Sequence, residues 1–71
     1  MSEMADKHLG RVSAYAEREI AVAYRIKGTA GACERFCEMV GSVLKTKRMS
    51  GTDRLSQIRC FYSALQAAIE K

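Results

Sequence analysis

The fold of this chain is decided by the stretch Glu3–Lys27, which reads EMADKHLGRVSAYAEREIAVAYRIK. At about 100° per residue, its apolar side chains recur every three or four positions and fall on one side of a helix. These core candidates are Ala5, Leu9, Val12, Ala16, Ile20 and Ala23. Ser2 is placed to cap the start of the helix, and Gly28 to end it in the left-handed C′ conformation. The pattern therefore predicts one long helix over residues 3–27.

A second apolar strip lies beside this core face and is flanked by cations. The strip contains Met4, His8, Tyr15, Val22 and Ile26, and the cations are Lys7, Arg11, Arg18 and Arg25. The three arginines are seven residues apart, so they lie nearly in line at intervals of roughly 10 Å. Arginine beside aromatic and aliphatic residues is typical of protein interfaces. We therefore predict a partner-binding surface formed by Arg11, Tyr15, Arg18, Val22 and Arg25.

Two glycine-containing breaks, at 27–31 and 49–53, divide the rest of the chain. Between them, residues 30–47 form a helical pattern whose predicted core face is Cys33, Phe36, Cys37, Val40, Val43 and Leu44. Ser50 and Asp53 have the spacing of a capping box, with Thr52 as a rival cap. A further pattern over 53–70 has as its predicted core face Leu55, Ile58, Tyr62, Leu65 and Ile69. The expected fold is all-α: one domain spanning residues 1–71, with a long helix and a shorter antiparallel pair.

The opposite side of the expected third helix carries small side chains, namely Ser56, Cys60, Ser63, Ala64 and Ala67. An exposed helix back usually carries glutamate and lysine, whereas small residues let a second backbone approach closely. Good helix formers facing water are the alternative. A chain of this length buries only about 60% of its unfolded surface, and such chains often need a second copy. We therefore predict a homodimer that uses these small residues for self-association.

The composition restricts the class of protein and its compartment. Twelve Lys and Arg against eight Asp and Glu give a net charge of +4, which favours encounters with acidic partners. Three cysteines cannot all pair within one chain, and the start has no apolar leader, so we expect a reducing cytosol. The longest uncharged apolar stretch, 60–69, is shorter than the roughly 18 residues of a membrane span. We expect no membrane association.

Catalytic and metal-binding patterns are weak. Cys33 and Cys37 lie one turn apart, which suits a soft metal, but Cys60 and His8 belong to faces that point elsewhere. We therefore expect the cysteines to pack in the core and predict neither a metal nor a cofactor. His8 has no nucleophile at a defined spacing, and the residues show no paired acid and base. The expectation is a protein that is not an enzyme, with no catalytic residues.

A second basic cluster surrounds the later break and comprises Lys45, Lys47, Arg48, Arg54 and Arg59. Helices on either side of a turn invite comparison with a helix-turn-helix, and these cations are candidate nucleic-acid contacts. The connection is longer than the usual turn, however, and Cys60, Ser63 and Ala64 are poor readers of base edges. The leading hypothesis is thus a regulator, adaptor or inhibitor that binds a protein through the arginine-bearing helix face. Nucleic-acid binding by the second cluster is the alternative.

Overall fold

The computed structural model describes the backbone of residues 2–70 and the side chains of residues 9–70. Residues 2–70 form two helices, α1 (Ser2–Lys45) and α2 (Gly51–Glu70), and none of them belongs to a strand. The prediction of an all-α chain is confirmed. The side chains of Met4, Ala5, Lys7 and His8, which the sequence assigned to the core face or the basic strip, lie outside the described residues.

Helix α1 is bent back on itself at Gly28. A straight helix of its 44 residues would be about 66 Å long, yet the longest dimension of the molecule is 37 Å. Gly28 has φ 67° and ψ −151°, in a region that essentially only glycine occupies. The positive φ was expected, but the residue does not adopt the left-handed helical conformation of a C′ cap. We refer to residues 2–27 as the first arm of α1 and to residues 29–45 as the second arm.

The three expected helices are therefore two in the structure. The break after Lys27 is a one-residue bend inside α1, which ends at Lys45 and not at 47. The arms come very close beside the bend, where a Cβ atom on Gly31 would lie 2.5 Å from the carbonyl oxygen of Ala23. Glycine at this position is what lets the second arm return against the first.

The start of helix α2 is capped by Ser50. The amide of Asp53 donates to Ser50 Oγ at 3.1 Å, so Ser50 and not Thr52 is the N-cap. The helix starts at Gly51, two residues before the expected boundary. The cap and the Arg54 guanidinium, which donates to the Thr46 carbonyl, connect the start of α2 to the end of α1.

The core lies between the two arms and α2 and is built largely from small side chains. Its buried residues are Ala16, Ile20, Ala32, Met39, Val43, Phe61, Ala64, Leu65 and Ala68. Ala16 and Ile20 confirm the core face predicted for the first arm. Four of the nine are alanines, so the helices pack closely. Each alanine, however, removes little apolar surface from water.

The predicted core face of the second arm was partly wrong. Cys33, Cys37 and Leu44 are exposed, whereas Ala32 and Met39 are buried in their place. On a helical wheel the buried side is rotated by about 80° from the expected one. The observed orientation buries the side chain of Met39 and places Arg35 on the side toward the first arm, where its guanidinium pairs with Glu19.

Helix α2 is rotated by a similar angle. Leu55 and Tyr62, expected in the core, are about half exposed, while Phe61 is buried. Ala64, which the sequence placed on a self-association surface, is only 4% exposed and belongs to the chain's own core. The observed orientation buries the wholly apolar ring of Phe61 and leaves Tyr62, whose hydroxyl is polar, about half exposed; it also brings Arg54 to the Thr46 carbonyl. Among the described residues, no helix is both long enough and apolar enough to cross a bilayer.

Candidate protein-docking surfaces

The first arm of α1 presents an exposed surface in which arginines alternate with apolar side chains. This basic face consists of Arg11, Tyr15, Arg18, Val22, Arg25 and Ile26. Tyr15 is 43% exposed, Val22 46% and Ile26 73%, which are high values for large apolar side chains. The structure thus places all five residues of the predicted partner-binding surface together, with Ile26 continuing it toward the bend.

The first arm contributes no acidic side chain to the basic face among the described residues, although Glu34 and Glu38 of the second arm line a shallow pocket beside Ile26. Glu17 lies on the other flank of the helix, as the wheel predicts. Glu19 lies at the edge of the face, but its Oε1 accepts a hydrogen bond from Arg35 Nη2 at 2.8 Å. The ion pairs formed within residues 9–70 involve none of Arg11, Arg18 and Arg25. Their positive charges are directed to solvent.

Arg35 orders the edge of the basic face. Its Nη2 donates to Glu19 and, at 3.2 Å, to the Tyr15 hydroxyl oxygen, and its Nη1 donates to Glu38 at 3.2 Å. The hydrogen bond to Glu19 raises the pKa of Arg35, so the guanidinium stays charged throughout the usual pH range. Because Tyr15 serves Arg35 as an acceptor, its hydroxyl hydrogen can still donate to a partner's carboxylate.

A groove beside Tyr15 supplies apolar volume at the same edge. It measures about 330 Å³ and is lined by Val12, Met39 and Phe61 as well as by Tyr15 and Arg35. Pockets of this kind, next to aromatic and arginine side chains, are where interface anchors insert. The groove and the basic face together can accept one apolar side chain and several carboxylates.

The second basic cluster is only partly available for binding. Lys45, Lys47 and Arg48 are exposed at the five-residue connection 46–50, and Arg59 is exposed more than two turns further along α2. Arg54 is half-buried and donates to the carbonyl of Thr46, so it serves to cap the end of α1. Four of the five candidate nucleic-acid contacts therefore point into solvent, and the fifth has a structural contact.

A third surface lies on the other side of the molecule, where the second arm of α1 packs against α2. We call it the hairpin face and define it by Cys33, Cys37, Leu44, Leu55 and Tyr62. Leu44 is 56% exposed, Leu55 49% and Tyr62 53%. The sequence analysis assigned all five residues to the core. That prediction overlooked that the second arm of α1 and α2 each carry more apolar residues than one packed side can bury.

An aromatic contact joins the two sides of the hairpin face. The rings of Phe36 on α1 and Tyr62 on α2 meet edge to face, with centroids 6.4 Å apart and an interplanar angle of 62°. This geometry is favourable for aromatic pairs. The contact places Tyr62 of the hairpin face directly against the second arm of α1.

The remaining candidate residues do not form a comparable site. Of the expected self-association set, Ser63 and Ala67 are exposed, Ser56 and Cys60 are half-buried, and Ala64 is in the core. The thiols of Cys33, Cys37 and Cys60 are free. Within the described part of the chain, no three His, Cys, Asp or Glu residues come together as metal ligands.

No family model, curated protein or solved structure matches this chain. Its function is therefore argued from the surfaces alone.

Proposed function

We propose that this chain is a small non-enzymatic regulator, adaptor or inhibitor that binds a protein partner through the basic face. One observation supports this most strongly: Tyr15, Val22 and Ile26 are exposed beside three solvent-directed arginines, with no acidic side chain between them. Large apolar side chains rarely cluster on a surface that binds nothing.

The arrangement defines the chemistry of the partner. Arg11, Arg18 and Arg25 can each donate paired hydrogen bonds to a carboxylate, and Tyr15 can donate one more. Val22 and Ile26 require apolar side chains opposite them, because their burial drives association. The matching surface is an acidic helix or groove that carries exposed aliphatic or aromatic residues.

A capture experiment in lysate of the source cells tests the proposal. The double variant Arg11→Glu, Arg18→Glu should lose at least about 90% of the captured partner, because each change replaces attraction by repulsion at a rim contact. The double variant Arg48→Glu, Arg59→Glu is the matched control, since it makes the same total charge change at two exposed positions outside the basic face. Circular dichroism establishes that all variants keep their helicity. Equal capture by the double variant and the wild-type chain would remove the proposal.

Nucleic-acid binding is the second candidate function, and the exposure of Lys45, Lys47 and Arg48 at one connection, with Arg59 exposed further along α2, favours it. Its affinity should fall steeply with salt, with a log–log slope of about −0.9 per phosphate neutralised. If the chain binds nucleic acid, Arg59→Glu should weaken that binding, and Arg11→Glu, which changes the basic face, is the control. Filter binding at low salt that detects neither duplex nor single strands would eliminate this function.

Two further predictions accompany the proposed function. The first is a cytosolic location, which three free thiols favour. The second is that the chain forms a homodimer, because its core is small and six large apolar side chains of the described residues remain exposed. Three of these six lie on the basic face, and the other three lie on the hairpin face.

A further inference from the structure

The hairpin face exposes three large apolar side chains, Leu44 at 56%, Leu55 at 49% and Tyr62 at 53%. Large apolar side chains that are grouped on one surface mark a site of association.

We propose that the hairpin face is the surface on which a second copy of this chain docks, forming a symmetric dimer. This assignment rests on the self-association proposed above and names its surface. The copy would cover Leu44, Leu55 and Tyr62, together with the exposed thiols of Cys33 and Cys37.

Charge distinguishes the hairpin face from the basic face. On the wheel, the strip of Cys33, Cys37 and Leu44 carries no charged residue. The exposed Glu34 and Glu38 lie beyond it on the second arm and the exposed Arg59 borders it on α2, so both signs of charge surround the hairpin face. A symmetric interface places each surface against itself, so a face rich in one sign of charge repels its copy. The basic face would oppose arginine to arginine, whereas the hairpin face opposes apolar residues to apolar residues. A second copy therefore fits the hairpin face.

The surface expected from the sequence is a poorer choice. Ala64 is buried within the chain and Cys60 is half-buried, so only Ser63 and Ala67 of that set are fully exposed. These side chains offer little apolar area to a copy. Leu44, Leu55 and Tyr62 are larger and each about half exposed, so their burial contributes more free energy.

Light scattering on the purified full chain tests the assignment. Wild type should have the mass of a dimer, and Leu55→Glu and Leu44→Lys should each lower the association constant by more than about tenfold, because each buries an unpaired charge. The signs are chosen for the helices: glutamate suits the N-terminal end of α2 and lysine the C-terminal end of α1. Ala67→Glu, on the exposed opposite side of α2, should leave the mass unchanged.

Thiol alkylation provides an independent readout in the same samples. Dimer formation should protect Cys33 and Cys37 from iodoacetamide, so that both react several-fold faster in Leu55→Glu than in wild type. Cys60 lies on the opposite side of α2, and its rate should be the same in the two proteins.

The possible results separate the surface from the self-association itself. A dimer that survives Leu55→Glu and Leu44→Lys but dissociates in Ala67→Glu would overturn the assignment and retain the homodimer. A wild-type chain that is monomeric at high concentration would overturn both. If wild type is monomeric and binds the captured partner, and Leu55→Glu does not bind it, then the hairpin face binds a different protein. That result would also refute the assignment.

Discussion

At the scale of single residues, two glycines in α1 have opposite environments. A Cβ atom on Gly31 would meet the Ala23 carbonyl oxygen at 2.5 Å and the Lys27 Cβ at 2.6 Å, whereas one on Gly41 would meet nothing within 4 Å. Both positions lie in the second arm of α1. Any difference between alanine substitutions at the two sites therefore reports the close approach of the arms.

We expect Gly31→Ala to lower the free energy of unfolding by about 1–3 kcal/mol, because backbone must move to admit the methyl group. Gly41→Ala should raise it by up to about 1 kcal/mol, the gain in helix propensity. Urea unfolding followed by circular dichroism measures both. Stabilisation by Gly31→Ala equal to that by Gly41→Ala would show that the arms are not in contact at the bend.

Arg35 links the two arms through Glu19, and its side chain is 31% exposed. Partial exposure limits the strength of such a pair, so Arg35→Met should cost about 0.5–1 kcal/mol of unfolding free energy. A double-mutant cycle with Glu19→Gln measures the coupling between the two side chains. Glu38→Gln, which removes the more exposed partner at 3.2 Å, is the control and should show weaker coupling. Fully additive effects of Arg35→Met and Glu19→Gln would mean that the pair does not fix the second arm.

At the scale of elements, the first arm was predictable and the orientation of the other two segments was not. Ala16 and Ile20 are buried on the predicted core face, and arginines flank the second apolar strip of the same arm, which marks that strip as the exposed one. The second arm and α2 each carry apolar residues over more than half of their circumference, so periodicity alone could not choose the buried side. In the observed orientations Met39 and Phe61 are buried, Arg35 reaches Glu19 and Arg54 reaches the Thr46 carbonyl, and all of these are contacts between segments.

The same distinction applies to the candidate surfaces. Residues of the basic face could be grouped from the sequence because their spacing within one helix fixes their relative positions. The hairpin face could not, because it joins two helices whose rotation depends on tertiary contacts. Arg54 looked like one more cation of the turn, and only the position of the Thr46 carbonyl shows that it caps α1.

Two alanines test the orientation of α2. Ala64 is 4% exposed and Ala67 is exposed, although both belong to the row of small residues recognised in the sequence. Ala64→Glu should unfold the chain or cost more than about 3 kcal/mol, because it buries an unpaired charge. Ala67→Glu should change stability by less than about 0.5 kcal/mol. Thermal unfolding at a fixed protein concentration measures the stability of both variants. An equal loss of stability in the two would contradict the observed rotation of α2.

At the scale of the whole molecule, the two faces should respond to salt in opposite ways. Each chain has a net charge of +4, so two copies repel one another, and salt screens this repulsion. Raising the salt concentration should therefore strengthen self-association through the apolar hairpin face. Binding of an acidic partner to the basic face should weaken under the same conditions. Light scattering and capture across one salt series measure the two responses, and a parallel decline in both would mean that one charged surface serves both partners.

The central claim is that the exposed apolar surface is divided between two faces with separate occupants. Sedimentation equilibrium of Arg18→Glu and Leu55→Glu, compared side by side with wild type, tests it most directly. The account predicts that Arg18→Glu sediments as a dimer, at about twice the chain mass of 7.9 kDa, and that Leu55→Glu sediments as a monomer. A dimeric Leu55→Glu, or a wild-type chain that is monomeric at every concentration, would contradict it.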